Sequence, residues 1–216
     1  MKLKGLKINF LGDSITEGYG VSDSNNVYWK RLETNEALAV ARCYGIRGTR
    51  YATRIVPSVT PRLNQNFCDR YNEMDDDADV VVVFGGTNDY GSGGDVPLGT
   101  PSDRTPYTFY GACHTLYSGL VEKYPSATIV IMTPLHRLTE EPTATKKDKP
   151  PLSAYVAIEQ EVAEFYALPV LDLWATSGIQ PRLPIIQERY VPDGLHPNDA
   201  GHELLYKRLA GFLKSL

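Results

Sequence analysis

Short apolar runs alternate along the chain with longer stretches in which apolar positions recur every three or four residues. The runs cover residues 7–11, 39–44, 80–84, 128–133 and 169–173, and most are closed by Gly, Asp or Pro. Runs this short with such ends are expected to be buried strands. Between them Phe109, Cys113, Leu116 and Leu120 fall on one face of a helix ending near Tyr124 and Pro125, and Tyr155, Ile158, Val162 and Phe165 do the same. Leu205, Leu209, Phe212 and Leu216 repeat the pattern in a last helix that His196-Pro197-Asn198 would start. Weaker helical patterns cover residues 29–38 and 63–71. Apolar stripes of this kind are core-facing. There is no internal repeat and no low-complexity segment.

Strands alternating with helices predict an α/β domain with a parallel sheet. At 216 residues the chain suits one sizeable core, so residues 1–216 are read as a single domain. Residues 89–106, 136–151 and 175–192 are rich in Gly, Pro, Thr and Ser and are expected to be long loops, which in a compact domain tend to be functional. The acidic run 73–79 reads as a solvated helix end leading into the third strand.

Charge and composition narrow the partners. A formal net charge of -4 with scattered basic residues offers nothing to a polyanion, so nucleic acid is not an expected partner. The longest apolar runs fall far short of the roughly 20 residues of a membrane span, so none is expected. The first ten residues show no secretory pattern, and a cytoplasmic location is expected. Cys43, Cys68 and Cys113 have no metal-ligand spacing and an odd count, and read as reduced, buried thiols.

The candidate chemistry lies at the ends of the strands. Gly12-Asp13-Ser14-Ile15-Thr16-Glu17-Gly18 lifts a serine from the end of the first strand, and that hydroxyl needs a base to become a nucleophile. Of the four histidines, His114 and His202 lie in helical patterns and His136 in a loop, whereas His196 follows Asp193 by three residues. At that spacing a carboxylate can accept the imidazole Nδ1 hydrogen and leave Nε2 free as base. Ester hydrolysis also needs donors for an oxyanion. Gly45-Ile46-Arg47-Gly48 after the second strand and Gly85-Gly86-Thr87-Asn88-Asp89 after the third can supply them.

These four segments resemble, in order, the blocks of the SGNH (GDSL) hydrolases: Gly12-Asp13-Ser14, Gly45 to Gly48, Gly86-Thr87-Asn88-Asp89, and Asp193-Gly194-Leu195-His196. The resemblance implies a flavodoxin-like, three-layer α/β/α fold with a five-stranded parallel sheet in the order 2-1-3-4-5, and acyl-ester hydrolysis at its carboxyl edge. It implies Ser14, Asp193 and His196 as the catalytic triad. The oxyanion hole would be built from the Ser14 N–H, the Gly48 N–H and the Asn88 amide. Gly45 is the alternative to Gly48, which the family's register favours. In the order 2-1-3-4-5 the second and third strands flank the first, which would place Gly48 and Asn88 on either side of Ser14. Cys43 stands where the family often has an asparagine, a change in local support rather than in chemistry.

Other readings compete with this one. Asp13, Asp89, Asp193, His196 and His202 could be imagined around a metal, but their spacing matches no metal motif, so no metal and no cofactor are expected. A catalytically inactive carbohydrate-binding module is disfavoured because every role in the site has a suitable residue. Tyr90, Ser92, Asp95, Ser102, Asp103, Arg104, Tyr107, His136 and Arg137 give the loops a polar rim without an apolar lid. From these, together with Asp13 beside the nucleophile, the candidate substrate contacts are Asp13, Tyr90, Tyr107, His136 and Arg137. The expected substrate is a small polar ester such as an acetylated sugar, making the enzyme an O-deacetylase of carbohydrate esters. The alternative is a lipase or thioesterase acting on longer acyl chains.

Overall fold

Five strands, β1 (Lys7–Gly12), β2 (Val40–Gly45), β3 (Val80–Phe84), β4 (Thr128–Met132) and β5 (Val170–Leu171), form one parallel sheet in the order β2-β1-β3-β4-β5. The structure is a computed structural model describing residues 1–91, 96–142 and 149–216. This is the α/β fold that the alternation of strands and helices predicts, in the strand order that the family resemblance implies. β5 is shorter than expected because Asp172 ends it: the carboxylate accepts the N–H of Ala175 at 3.0 Å and caps a one-turn helix over Leu173–Thr176.

Alternation along the strands divides the core in two. Leu11, Val81, Val83, Ile129 and Ile131 point to the face covered by the helices Phe109–Lys123 and Leu152–Phe165. Ile8, Phe10, Val80, Val82, Phe84, Val130 and Met132 point to the other, covered by Tyr28–Asn35 and Asp199–Ser215. The last helix starts where expected, with Asn198 accepting the N–H of Gly201 at 3.0 Å.

Several local expectations need correcting. Phe165, placed by its periodicity on a core face, is 65% exposed at its helix end, and Leu216 is also exposed. The inward position on the Leu152–Phe165 helix belongs instead to Glu159, which is fully buried. Residues 63–71 split into a 3-10 turn over Pro61–Asn64 and a single turn over Phe67–Arg70 capped by Asn66. The stretch 175–192 is not all loop, since a helix spans Pro184–Tyr190. Glu73 ends a 3-10 turn, and the acidic run beyond it is paired rather than merely solvated. Lys7 binds Asp77 at 2.7 Å, Arg42 binds Asp75 at 3.2 Å and Asp77 at 2.9 Å, and Lys123 binds Asp76 at 3.0 Å. Cys68 and Cys113 are buried and free, whereas Cys43 on the edge strand β2 is exposed. No helix among the described residues is long and apolar enough to cross a membrane.

Candidate active site

The sheet register brings three chain turns to one level. Gly12 at the end of β1 pairs with Gly45 of β2 on one side and Phe84 of β3 on the other. The chain leaves all three strands there, so residues 13–14, 46–48 and 85–88 meet beyond the carboxyl edge. Gly12 has no room for a side chain, since a Cβ would lie 2.1 Å from Thr16 Oγ1. Asp13 then accepts the N–H of Ile15 at 2.9 Å and caps the one-turn helix Ser14–Glu17, which begins with the serine itself.

Ser14 Oγ lies 3.1 Å from His196 Nε2, and His196 Nδ1 lies 2.7 Å from Asp193 Oδ2. The other carboxylate oxygen, Asp193 Oδ1, accepts the N–H groups of Leu195 at 2.9 Å and His196 at 2.7 Å. The turn that allows this uses Gly194 in the left-handed region (φ +78°), where a Cβ would also meet Leu138. Partial burial raises the Asp193 carboxyl, but the ring and the two backbone N–H groups more than offset it and hold it below the ordinary carboxylate range. A charged acceptor at Nδ1 assigns the ring hydrogen there, leaving the Nε2 lone pair facing the serine.

Gly48 and Asn88 line the same open pocket as Ser14 and His196, a cavity of about 260 Å³. Of the two candidate glycines, Gly45 is packed against the Ser14–Glu17 helix, where its Cβ would lie 2.4 Å from Glu17 N, while Gly48 faces the pocket with φ +78°. The Asn88 amide donates to Thr49 O at 2.9 Å and makes a long contact of 3.4 Å to Asp13 Oδ2. One N–H is thus anchored while the other is weakly engaged and can be redirected. Arg70 braces this corner: it donates to Thr49 Oγ1 at 2.8 Å, to Gly12 O at 3.3 Å and to Tyr44 O.

The remaining candidate contacts do not gather at Ser14. Asp13 is buried beneath the pocket, occupied as a helix cap, and cannot touch a ligand there. Tyr90 and Arg137 line a separate pocket with Lys149, and Arg137 donates to Thr87 O and Oγ1 at 3.2 and 3.1 Å. His136 packs on Trp174 at 3.7 Å between centroids, with Nδ1 2.9 Å from Glu140 Oε2. Tyr107 is exposed and outside the Ser14 pocket. Ser92 and Asp95 lie outside the described residues. Instead the pocket walls are Tyr19, Arg47, Arg62 and Leu195. Arg47 and Leu195 sit inside the quoted segments and Tyr19 directly follows Gly18, so those three had a local signal. Arg62 had none, because it arrives from a distant turn.

A set of buried acids lies behind the site. Burial pushes the Asp13 carboxyl up to about 7, against the Ile15 N–H and the charges of Arg70 and Arg137, with Asp89 adding to the rise. Burial raises Asp89 to about 6 even though the N–H groups of Ala52 and Tyr51 bind it. Glu159 is raised well above its ordinary value by burial, with Asp89 and Asp13 adding to it. Neither of its carboxyl oxygens has a hydrogen-bond partner among the described residues. His202, imagined as a metal ligand, is instead neutral in the core: burial lowers it to about 3, and its Nδ1 accepts the Tyr28 N–H at 3.2 Å. Among the described residues no three His, Cys, Asp or Glu side chains are placed to hold a metal ion.

The model of the GDSL-like lipase/acylhydrolase family matches residues 10–204 of the chain. One solved structure is 34% identical, with a TM-score of 0.88 over 100% of this chain and 99% of the other. A protein from Lactobacillus plantarum is 29% identical, with a TM-score of 0.85 over 98% of each chain. A possible lipase from Chitinophaga pinensis shares the fold at 21% identity, with a TM-score of 0.67 over 97% of this chain and 98% of that one. No curated protein matches.

Proposed function

We propose that this chain, which belongs to the GDSL-like lipase/acylhydrolase family and is an ester hydrolase, is a serine esterase that works through an acyl-enzyme on Ser14. The observation that carries the reading is the unbroken chain from Ser14 Oγ to His196 (3.1 Å) and on to Asp193 (2.7 Å), opening into a pocket. His196 Nε2 takes the hydroxyl proton as Ser14 Oγ bonds to the ester carbonyl carbon, and Asp193 stabilises the imidazolium. The carbonyl oxygen becomes an oxyanion facing the Ser14 and Gly48 N–H groups and the Asn88 amide, which gives up its long contact to Asp13. Collapse breaks the bond to the alcohol, which leaves with the proton from Nε2. Water, activated by the same ring, then attacks the acyl-enzyme and releases the acid and the free serine.

The pocket favours a short acyl group on a polar alcohol. Among the described residues Leu195 is its only aliphatic wall, and the rest is Tyr19, Arg47, Arg62, Asn88 and the catalytic groups. Tyr19, about half exposed and edge-on to His196 at 4.5 Å, offers a flat surface for a sugar ring. We therefore read the enzyme as an O-deacetylase of carbohydrate esters. Turnover of p-nitrophenyl acetate should fall on the order of 10⁶-fold in kcat in Ser14→Ala, and retained turnover would sink the mechanism. A p-nitrophenyl series from acetate to longer chains should decline steadily; a maximum at long chains would replace the deacetylase by a lipase-type acylhydrolase.

A further inference from the structure

The charges around the Ser14 pocket are unevenly matched. Resting on the reading of Ser14 as nucleophile, we propose that the substrate is a small ester carrying an anionic group of its own, such as a carboxylate, and that Arg62 selects it. Two guanidinium groups, Arg47 and Arg62, line the pocket, and no carboxylate among the described residues does. Arg47 is already paired with a carboxylate. Glu17 Oε2 accepts its backbone N–H at 2.7 Å and its Nε at 3.0 Å, and its guanidinium lies 5.4 Å over the ring of Tyr19. Asp193 is turned away behind the imidazole, its oxygens on His196 Nδ1 and two backbone N–H groups.

The Arg62 side chain has no hydrogen bond or ion pair to any described residue. Its backbone is nonetheless fixed beside the oxyanion side of the pocket. Leu63 stands where a Cβ on Gly48 would come within 2.4 Å of its Cδ2. The Leu63 carbonyl accepts Arg54 Nε at 2.8 Å, and the Arg62 carbonyl accepts the Gln65 N–H at 3.2 Å. An incoming carboxylate would therefore meet a planar five-donor cation on an anchored turn, with no internal ion pair to break first. The overall charge of -4 repels anions in general, so this local field is what would admit one.

The test compares kcat/KM for 4-acetoxybenzoate with that for its methyl ester, placing the charge on the alcohol side. A second pair, p-nitrophenyl hydrogen adipate and p-nitrophenyl methyl adipate, places it on the acyl side. In at least one pair the anionic-to-neutral ratio should fall about five-fold in Arg62→Gln and recover in Arg62→Lys, a size fitting a solvent-exposed charge pair. The same wild-type ratio should shrink as salt rises from about 0.02 M to about 0.5 M. Ratios unmoved by Arg62→Gln in both pairs would overturn charge selection. So would an equal fall for charged and neutral esters, which would make Arg62 a general support of the oxyanion. Neither result touches the nucleophile, which the neutral methyl ester tests separately through Ser14→Ala.

Discussion

Replacing Glu159 by glutamine should make the protein progressively more stable than wild type as pH rises. Glu159 is fully buried, and its Oε1 lies 2.0 Å from where a Cβ on Gly86 would sit, so no room exists for a hydration shell. With burial holding its pKa well above the ordinary value of 4.5, the folded protein keeps the proton that the unfolded chain gives up. The group's stability contribution is therefore fully present at low pH and declines as pH rises through and above the unfolded value. Each pH unit in that window costs folding about 1.4 kcal/mol. The glutamine of Glu159→Gln cannot ionise, and any constant cost of its extra amide hydrogen applies at every pH alike. Asp13 and Asp89, whose carboxyls are also raised, are present in both proteins and titrate alike in them as long as Glu159 keeps its proton. Urea denaturation at about pH 5, 6, 7 and 8 should then show a stability difference growing in the variant's favour with pH, by at most about 1.4 kcal/mol per unit and levelling off once the pH passes the raised folded-state value. In thermal melts the same slope is about 4 °C per unit for a chain of this size. A difference that stays constant with pH, or turns against the variant, would show that Glu159 is ionised in the fold and partnered.

Other substitutions probe the site itself. Asn88→Ala should lower kcat by about 10² to 10³, with KM little changed; an unaltered rate would take Asn88 out of the oxyanion hole. Asp193→Asn should keep the fold but lose on the order of 10⁴ in kcat, because the amide would impose the wrong imidazole tautomer. NMR data showing the tautomer unchanged alongside full activity would refute that role. Gly20→Ala should impair both activity and melting temperature, since Gly20 has φ +102° and a Cβ would lie 2.7 Å from Pro197 O beside His196; a variant indistinguishable from wild type would show that this contact does not hold the histidine loop.

Much of this arrangement was legible in the chain because strand runs and glycine turns are local signals. The five runs located all five strands, and Val80–Phe84 matched to the residue because Val-Val-Val-Val-Phe buries both faces. The pairing of Asp193 with His196 was legible for the same reason, being set by one left-handed glycine between them. What escaped was decided by tertiary contacts. Glu159 falls beside Tyr155 and Ile158 on a helix whose apolar stripe also suggested Phe165, yet the acid is inside and the phenyl ring outside, against the Arg104 guanidinium at 5.6 Å. Arg62 reaches the pocket only because Leu63 packs over Gly48, a contact no spacing announces. The loop residues His136 and Arg137 are drawn instead to Glu140, Trp174 and Thr87, which satisfy them away from Ser14.

In the proposed mechanism Ser14, activated by His196 and Asp193, carries the acyl group. The most direct measurement is covalent labelling with a fluorophosphonate followed by intact-mass and peptide analysis. One adduct per chain, located on Ser14 and absent in Ser14→Ala and strongly slowed in His196→Ala, is the result expected. An active enzyme that takes no label, or takes it on another residue with Ser14 unmodified, would show that Ser14 is not the nucleophile.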